Sequence, residues 1–167
     1  MSRDKGNRAA GWVARYMAAN GFPHAEELPN GRAGADIKGT PGVAIEVKTG
    51  KIWRQEWMRQ AGKYDGRVKV VVWLRPGTGE KSISRALAIM PEEMMMRLLI
   101  DARRGDLSLC ATRGIEWRDN WDEMTEVIIY CPPAPAGPQG IVQMHMLMHL
   151  LTRAGYGTKM AAAPEMV

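Results

Sequence analysis

The sequence predicts an α/β domain with a mixed central sheet flanked by helices, and three observations carry that expectation. Segments of helical periodicity and short β-branched runs follow one another in the order helix, strand hairpin, helix, strand, strand, helix. The run VKVVVWL, residues 68–74, is almost wholly apolar, as in a central strand covered on both faces. The chain has 167 residues, 46% hydrophobic and 25% charged, which suffices for a domain with its own core.

Residues 8–20 read as the first helix, with Ala9, Trp12, Val13, Tyr16 and Met17 on one face. Gly21 supplies a stop and Pro23 prevents resumption. Residues 25–28 form a short strand, and the turn-rich PNGRAG follows. Asp36 and Ile37 begin a further strand, GTPG at 39–42 turns the chain, and residues 43–48 return, making 35–48 a hairpin. Residues 51–64 read as a helix with Trp53, Trp57 and Tyr64 along one side. After the central strand, RPGTGEKSIS is a loop and residues 86–90 a strand. PEEMMMRLLIDARRG is then a helix with Pro91 at its start, acids in its first turn and Gly105 beyond its end. Val127 to Tyr130 read as an edge strand, CPPAPAGPQG as a linker, residues 141–153 as a terminal helix and the rest as a tail. The expected organisation is a domain over residues 1–130, followed by linker, helix and tail over 131–167, without an internal repeat.

The net charge of +5 favours polyanionic partners such as nucleic acid. No apolar run reaches the roughly 18 residues of a membrane span, and no apolar signal core follows the basic N-terminus, so no membrane association is expected. Cys110 and Cys131 lack metal-ligand spacing and fit a reducing compartment, the cytoplasm. His145 and His149 stand four apart on the terminal helix but lack a third ligand, so packing or exposure explains them better than zinc.

The chemistry is concentrated in GADIKGTPGVAIEVKTG, residues 34–50. Charges interrupt an apolar strand at Glu46 and Lys48, which are two apart and so share a face, about 6.6 Å from one another along the strand. A hairpin brings Asp36 back beside Glu46. Two carboxylates that converge repel unless something neutralises them, and a hard divalent cation does so. Such a cation acidifies water and stabilises charge on a phosphoryl group, with Lys48 placed to hold the water or stabilise the transition state. The E-x-K spacing alone is better explained as a surface ion pair on an edge strand. Its setting, acid, turn, apolar strand, E-x-K and then a helix carrying Gln, Arg and Trp, favours phosphodiester hydrolysis.

On these residues the chain resembles the PD-(D/E)XK nuclease superfamily. More narrowly, KGNRAAGWVARYMAANGFP followed by GADIKGTPGVAIEVK resembles Holliday-junction resolvases of archaeal and phage type, over residues 3–75. The resemblance implies a restriction-endonuclease-like core with a roughly four-stranded mixed sheet, Mg²⁺ or Mn²⁺ dependence, a homodimer, and branched or duplex DNA as substrate; for a phage gene the compartment is the host cytoplasm. By position it implies Asp36, Glu46 and the Val47 carbonyl as metal ligands, Lys48 as the catalytic lysine, and Gln60, or alternatively Gln55, orienting water. Ala35 stands where the superfamily's name has Pro, and Ala10 where resolvases carry a helix-one Glu, with Asp4, Glu26 and Glu27 as candidate substitutes. The alternatives are a restriction-, repair- or replication-type nuclease on duplex or flap DNA, and a degenerate module that only binds DNA.

Lys5 and Arg8 at the first helix, Arg32 before Asp36, and Lys51, Arg54 and Arg59 after the E-x-K strand are candidate DNA contacts, with Arg3 and Lys63 near them. Trp53 and Trp57 would either stack on bases at a branch point or belong to the core, and their helical spacing favours the core.

Overall fold

A computed structural model describes residues 3–29, 34–114 and 121–157. Helix α1 (Arg3–Ala19) leads through Gly21 into strands β1 (Glu26–Glu27) and β2 (Ile37–Lys38). The sheet proper comprises β3 (Val43–Thr49), β4 (Val68–Leu74), β5 (Leu87–Pro91), β6 (Ser108–Thr112), β7 (Glu126–Tyr130) and β8 (Gln139–Gln143). Helix α2 (Glu56–Ala61) links β3 to β4, a 3₁₀ turn at Glu80–Arg85 precedes β5, α3 (Glu92–Asp101) follows β5, and α4 (Met144–Arg153) follows β8.

The six strands lie in the order β3-β4-β5-β8-β7-β6. The β3–β4 and β6–β7 pairs are parallel and the other three antiparallel, so the sheet is mixed as expected. One face packs its alternating residues, among them Ile45, Val47, Val70, Val72 and Ala88, against apolar residues of α1, α3 and α4. The other face, with Val71, Trp73, Leu87, Ile89, Ile128 and Ile141, lies under α2 and the indoles of Trp53 and Trp57. Those two rings stand edge-on at 5.3 Å and reach Trp73 at 5.8 and 6.4 Å. Such aromatic pairs contribute about 0.5–1.5 kcal/mol each beyond the area they bury.

Several elements differ from the sequence reading. The helix expected over residues 51–64 is confined to Glu56–Ala61, because Trp53 is drawn onto the tryptophan cluster from an irregular loop. The segment Ser108–Thr112, read as nothing in particular, is strand β6. The linker expected over residues 131–140 runs into β8, which occupies the centre of the sheet between β5 and β7. The terminal helix accordingly starts at Met144, and β7 is an interior strand rather than an edge. Gly140 allows β8 to sit there: a β-carbon on it would meet the Met95 side chain of α3 at 2.6 Å. The sheet has six strands, two more than the resemblance implies.

The sheet also carries a symmetry with no counterpart in sequence. Its register is two-fold about the Ile89–Ile141 pair, along the row Glu46, Val71, Ile89, Ile141, Ile128, Cys110. By that symmetry Cys110 and Thr112 of β6 occupy the positions that Glu46 and Lys48 occupy on β3.

Candidate active site on the edge strand β3

Strand β3 is the sheet edge, and the segment before it folds back along its outer side. The reversal is a turn in which the Val43 N–H donates to the Thr40 carbonyl at 3.0 Å, with Pro41 and Gly42 between them. Gly42 has φ +80°, the left-handed value that the third position of a type II turn demands. Asp36 then lies between two strands. Its N–H donates to the Ile45 carbonyl at 3.0 Å, and its own carbonyl accepts from the Leu28 N–H at 2.8 Å. The expected hairpin is therefore only partly a ladder. Ile37 and Lys38 pair with Glu27 and Glu26 of β1, while Asp36 bonds β3 at Ile45 and Thr40 bonds it at Val43 across the turn.

The Asp36 carboxylate oxygen Oδ2 accepts from the Val47 N–H at 2.7 Å. In an extended strand the N–H and C=O of one residue face the same neighbour. The Val47 carbonyl thus shares the outer edge with Asp36. Glu46 and Lys48 are in register with Val71 and Trp73 and so lie on the α2 face. Glu46 is 6% exposed, and its Oε1 meets Lys48 Nζ at 3.0 Å. Its Oε2 is buried without a hydrogen-bond partner.

Burial pushes both carboxyls above the usual carboxylate range. For Glu46 repulsion from Asp36 adds to that push, and Lys48 and Tyr64 offset part of it. For Asp36 the Val47 N–H and Lys48 pull the other way. The three charged groups therefore interact as one cluster. Tyr64, which sequence reasoning placed on the helix face but not in the site, belongs to the same electrostatic cluster: burial, with the two carboxylates nearby, raises its pKa. The signal that could have found it is its i+4 spacing from Gln60 just before the central strand.

Gln60 lies on α2 one turn before Tyr64, with Oε1 buried and unpartnered. Gln55 is drawn away, its Oε1 accepting from Gln139 Nε2 at 2.6 Å over β8. Two cavities flank β3. One of about 580 Å³ lies towards its start and is lined by Lys38, Lys63 and Tyr64. The other, about 490 Å³, lies towards its end and is lined by Lys48, Lys51 and Arg54. Arg59 instead lines a proline-rich cavity with Pro91 and Pro133, apart from these two. Arg8 is exposed on α1, in the layer behind the sheet from Glu46. Arg32 and the side chains of Arg3, Asp4 and Lys5 lie outside the described residues.

Trp53 and Trp57, 8% and 7% exposed, belong to the core. Ala10 is buried against the sheet. Of its candidate substitutes, Glu26 pairs with Lys38 at 3.1 Å, and the Glu27 carboxylate lies beside Gly11 of α1. Among the described residues no group of three or more His, Cys, Asp or Glu converges, so neither glutamate joins Asp36 and Glu46. His149 and His145 hold separate partners, Arg104 at 2.8 Å and Gln143 at 3.1 Å. Among the described residues no helix is long and apolar enough to cross a membrane.

A divalent cation fits these residues: two crowded carboxylates, a buried carboxylate oxygen without a partner, and a backbone carbonyl facing the same edge. Comparison with family models, with curated proteins and with solved structures finds no match to the chain.

Proposed function

We propose that this protein is a metal-dependent DNA endonuclease with a restriction-endonuclease-like core, acting on branched DNA such as a Holliday junction. One observation carries the reading: Asp36 and Glu46 converge beside Lys48 at an open sheet edge, with Glu46 Oε2 buried and unpartnered. A buried acceptor left unmet is destabilising, and a cation at Glu46 Oε2, beside a second carboxylate, would relieve it.

Asp36, Glu46 and the Val47 carbonyl would hold Mg²⁺ or Mn²⁺, which when bound supplies charge for the phosphoryl oxygens and lowers the pKa of water. The Val47 N–H fixes the Asp36 carboxyl, and Tyr64 steadies Glu46. The Lys48 ammonium lies at the same end and offers positive charge to the phosphate as its oxygens become more negative. A water oxygen attacks phosphorus, one P–O ester bond breaks, and the departing alkoxide takes up a proton. Gln60, with an acceptor unpartnered on α2, is the candidate to orient that water. The lysine- and arginine-lined cavities on either side of β3 accommodate the flanking phosphates. Paired cuts across a junction require two chains, as the implied homodimer provides, because the symmetry-related positions on β6 are Cys110 and Thr112.

The test is cleavage of a labelled four-way junction in Mg²⁺, beside flap, duplex and single-stranded DNA. Junction cutting by the wild type is expected, and Lys48→Ala and Asp36→Asn should reduce it about 10²–10³-fold or more while still binding the junction. Preference for flap or duplex would move the substrate, and binding without cutting in either metal would leave a DNA-binding module.

A further inference from the structure

The loop between β3 and α2 exposes an isoleucine beside the site. Ile52 is 75% exposed, although the loop around it is anchored on both sides. Upstream, the Gly50 carbonyl accepts from Trp73 Nε1 at 3.0 Å and the Gly50 N–H donates to the Leu74 carbonyl at 3.4 Å. Downstream, Trp53 is 8% exposed and packed on Trp57 and Trp73. Only Lys51 and Ile52 lie between these anchors, too short a span for Ile52 to fold back onto the core. A single exposed apolar residue is ordinary on a protein surface. This one is held outward, between the exposed cations Lys51 and Arg54, on the rim of the cavity of about 490 Å³ that Lys48 also lines. Arg54 lies 4.0 Å from Glu56, at the outer limit of an ion pair.

We infer that Ile52 is a wedge that enters the base stack beside the scissile phosphate, with Lys51 and Arg54 holding the backbone phosphates on either side. Apolar side chains inserted between base steps unstack and kink nucleic acid, most cheaply where the stack is already interrupted. A branch point is such a place, so Ile52 would favour branched over continuous duplex substrates. The cavity, with Trp57 and Lys48 among its lining residues, is of a size to take the displaced nucleotide. This inference rests on the reading that nucleic acid lies along β3.

The experiment uses the full chain carrying Asp36→Asn, so that DNA stays intact while Asn can still accept from the Val47 N–H. A four-way junction carries 2-aminopurine next to the branch, and a continuous duplex carries it at an interior step. The probe brightens on unstacking. At saturating protein the junction signal should rise, the rise should vanish with added Ile52→Ser, and Ile52→Leu should retain it. Ile52→Ser should lower junction affinity about five- to tenfold with duplex affinity unchanged, the scale of losing the partial burial of one aliphatic side chain. Because the side chain is exposed, neither change should disturb folding, which thermal melting checks. An equal rise with Ile52→Ser overturns the wedge, whether or not the wild type cuts in Mg²⁺. A rise that depends on Ile52 in a chain that never cuts keeps the wedge and overturns the nuclease. Binding to neither DNA overturns both.

Discussion

Glu46→Gln should stabilise the metal-free protein and abolish its response to Mg²⁺. The folded-state pKa values of Asp36 and Glu46 are raised, so the folded chain holds these protons more tightly than the unfolded one. Their contribution is most favourable below the ordinary carboxylate range and is lost as pH rises through the raised values. Above those raised values both are charged, and burial and their mutual repulsion then oppose folding. Glutamine keeps the shape of Glu46, removes its repulsion with Asp36 and replaces a buried anionic oxygen that has no partner. An unmet buried group costs about 1–3 kcal/mol. The lost ion pair with Lys48, whose side chain is 24% exposed, offsets part of that gain. A net gain of about 1–2 kcal/mol raises Tm by roughly 2–8 °C in a chain of this size. Mg²⁺ at about 100 times its Kd should add about 2.7 kcal/mol to the wild type, roughly 5–11 °C, and nothing to the variant. Calorimetry at pH 7, in EDTA and then in Mg²⁺, reads both. A variant that melts below the wild type in EDTA, or gains as much from Mg²⁺, would refute the reasoning.

Cleavage should fall as pH is lowered, because catalysis needs both carboxylates charged. Because a bound cation holds its ligands in the charged form, protons and Mg²⁺ compete: the fall should move to higher pH as Mg²⁺ is lowered, and a profile independent of Mg²⁺ concentration would mean that the two carboxyls are not its ligands. Gly140→Ala should cost about 1–3 kcal/mol in urea denaturation, since the new methyl group meets the Met95 side chain in the centre of the sheet. Lys51→Ala should leave the cleavage products unchanged and reduce the slope of log binding constant against log salt by about 0.7–0.9 in fluorescence titrations, the loss of one phosphate contact.

The site was more legible than the fold around it. Asp36, Glu46 and Lys48 interrupt an apolar strand after a turn fixed by Pro41 and Gly42, so local rules of turn and alternation suffice to bring them together. Asp36 was legible as a neighbour of β3 but not as the bridge from β3 to Leu28 just after β1, because the turn and alternation rules that place it on β3 say nothing of how the chain eight residues earlier pairs with it. Tyr64 and Gln60 were legible as a helix face, but their relation to Glu46 depends on how α2 crosses β3 and β4, which periodicity does not encode. The later half was read least well. Gln139 to Gln143 follow a proline-rich stretch and run straight into helical sequence, so a five-residue strand leaves no period of its own. Its place between β5 and β7 comes from long-range pairing. Ser108–Thr112 is half polar and exposed, as an edge strand is, and carries no continuous apolar signal. Lys38 lines the cavity before β3 although it was read only as part of a strand, and its ammonium pairs with Glu26 across β1 and β2.

The central claim is that Asp36, Glu46 and the Val47 carbonyl form a divalent-ion site. Crystals soaked in Mn²⁺ and measured at a wavelength where manganese scatters anomalously test it most directly. The account predicts a peak between the Asp36 and Glu46 carboxylates, on the outer edge of β3 and within coordination distance of the Val47 oxygen, that disappears in Glu46→Gln. Ordered Asp36 and Glu46 side chains with no peak between them, at manganese concentrations that mark other sites in the same crystal, would contradict it.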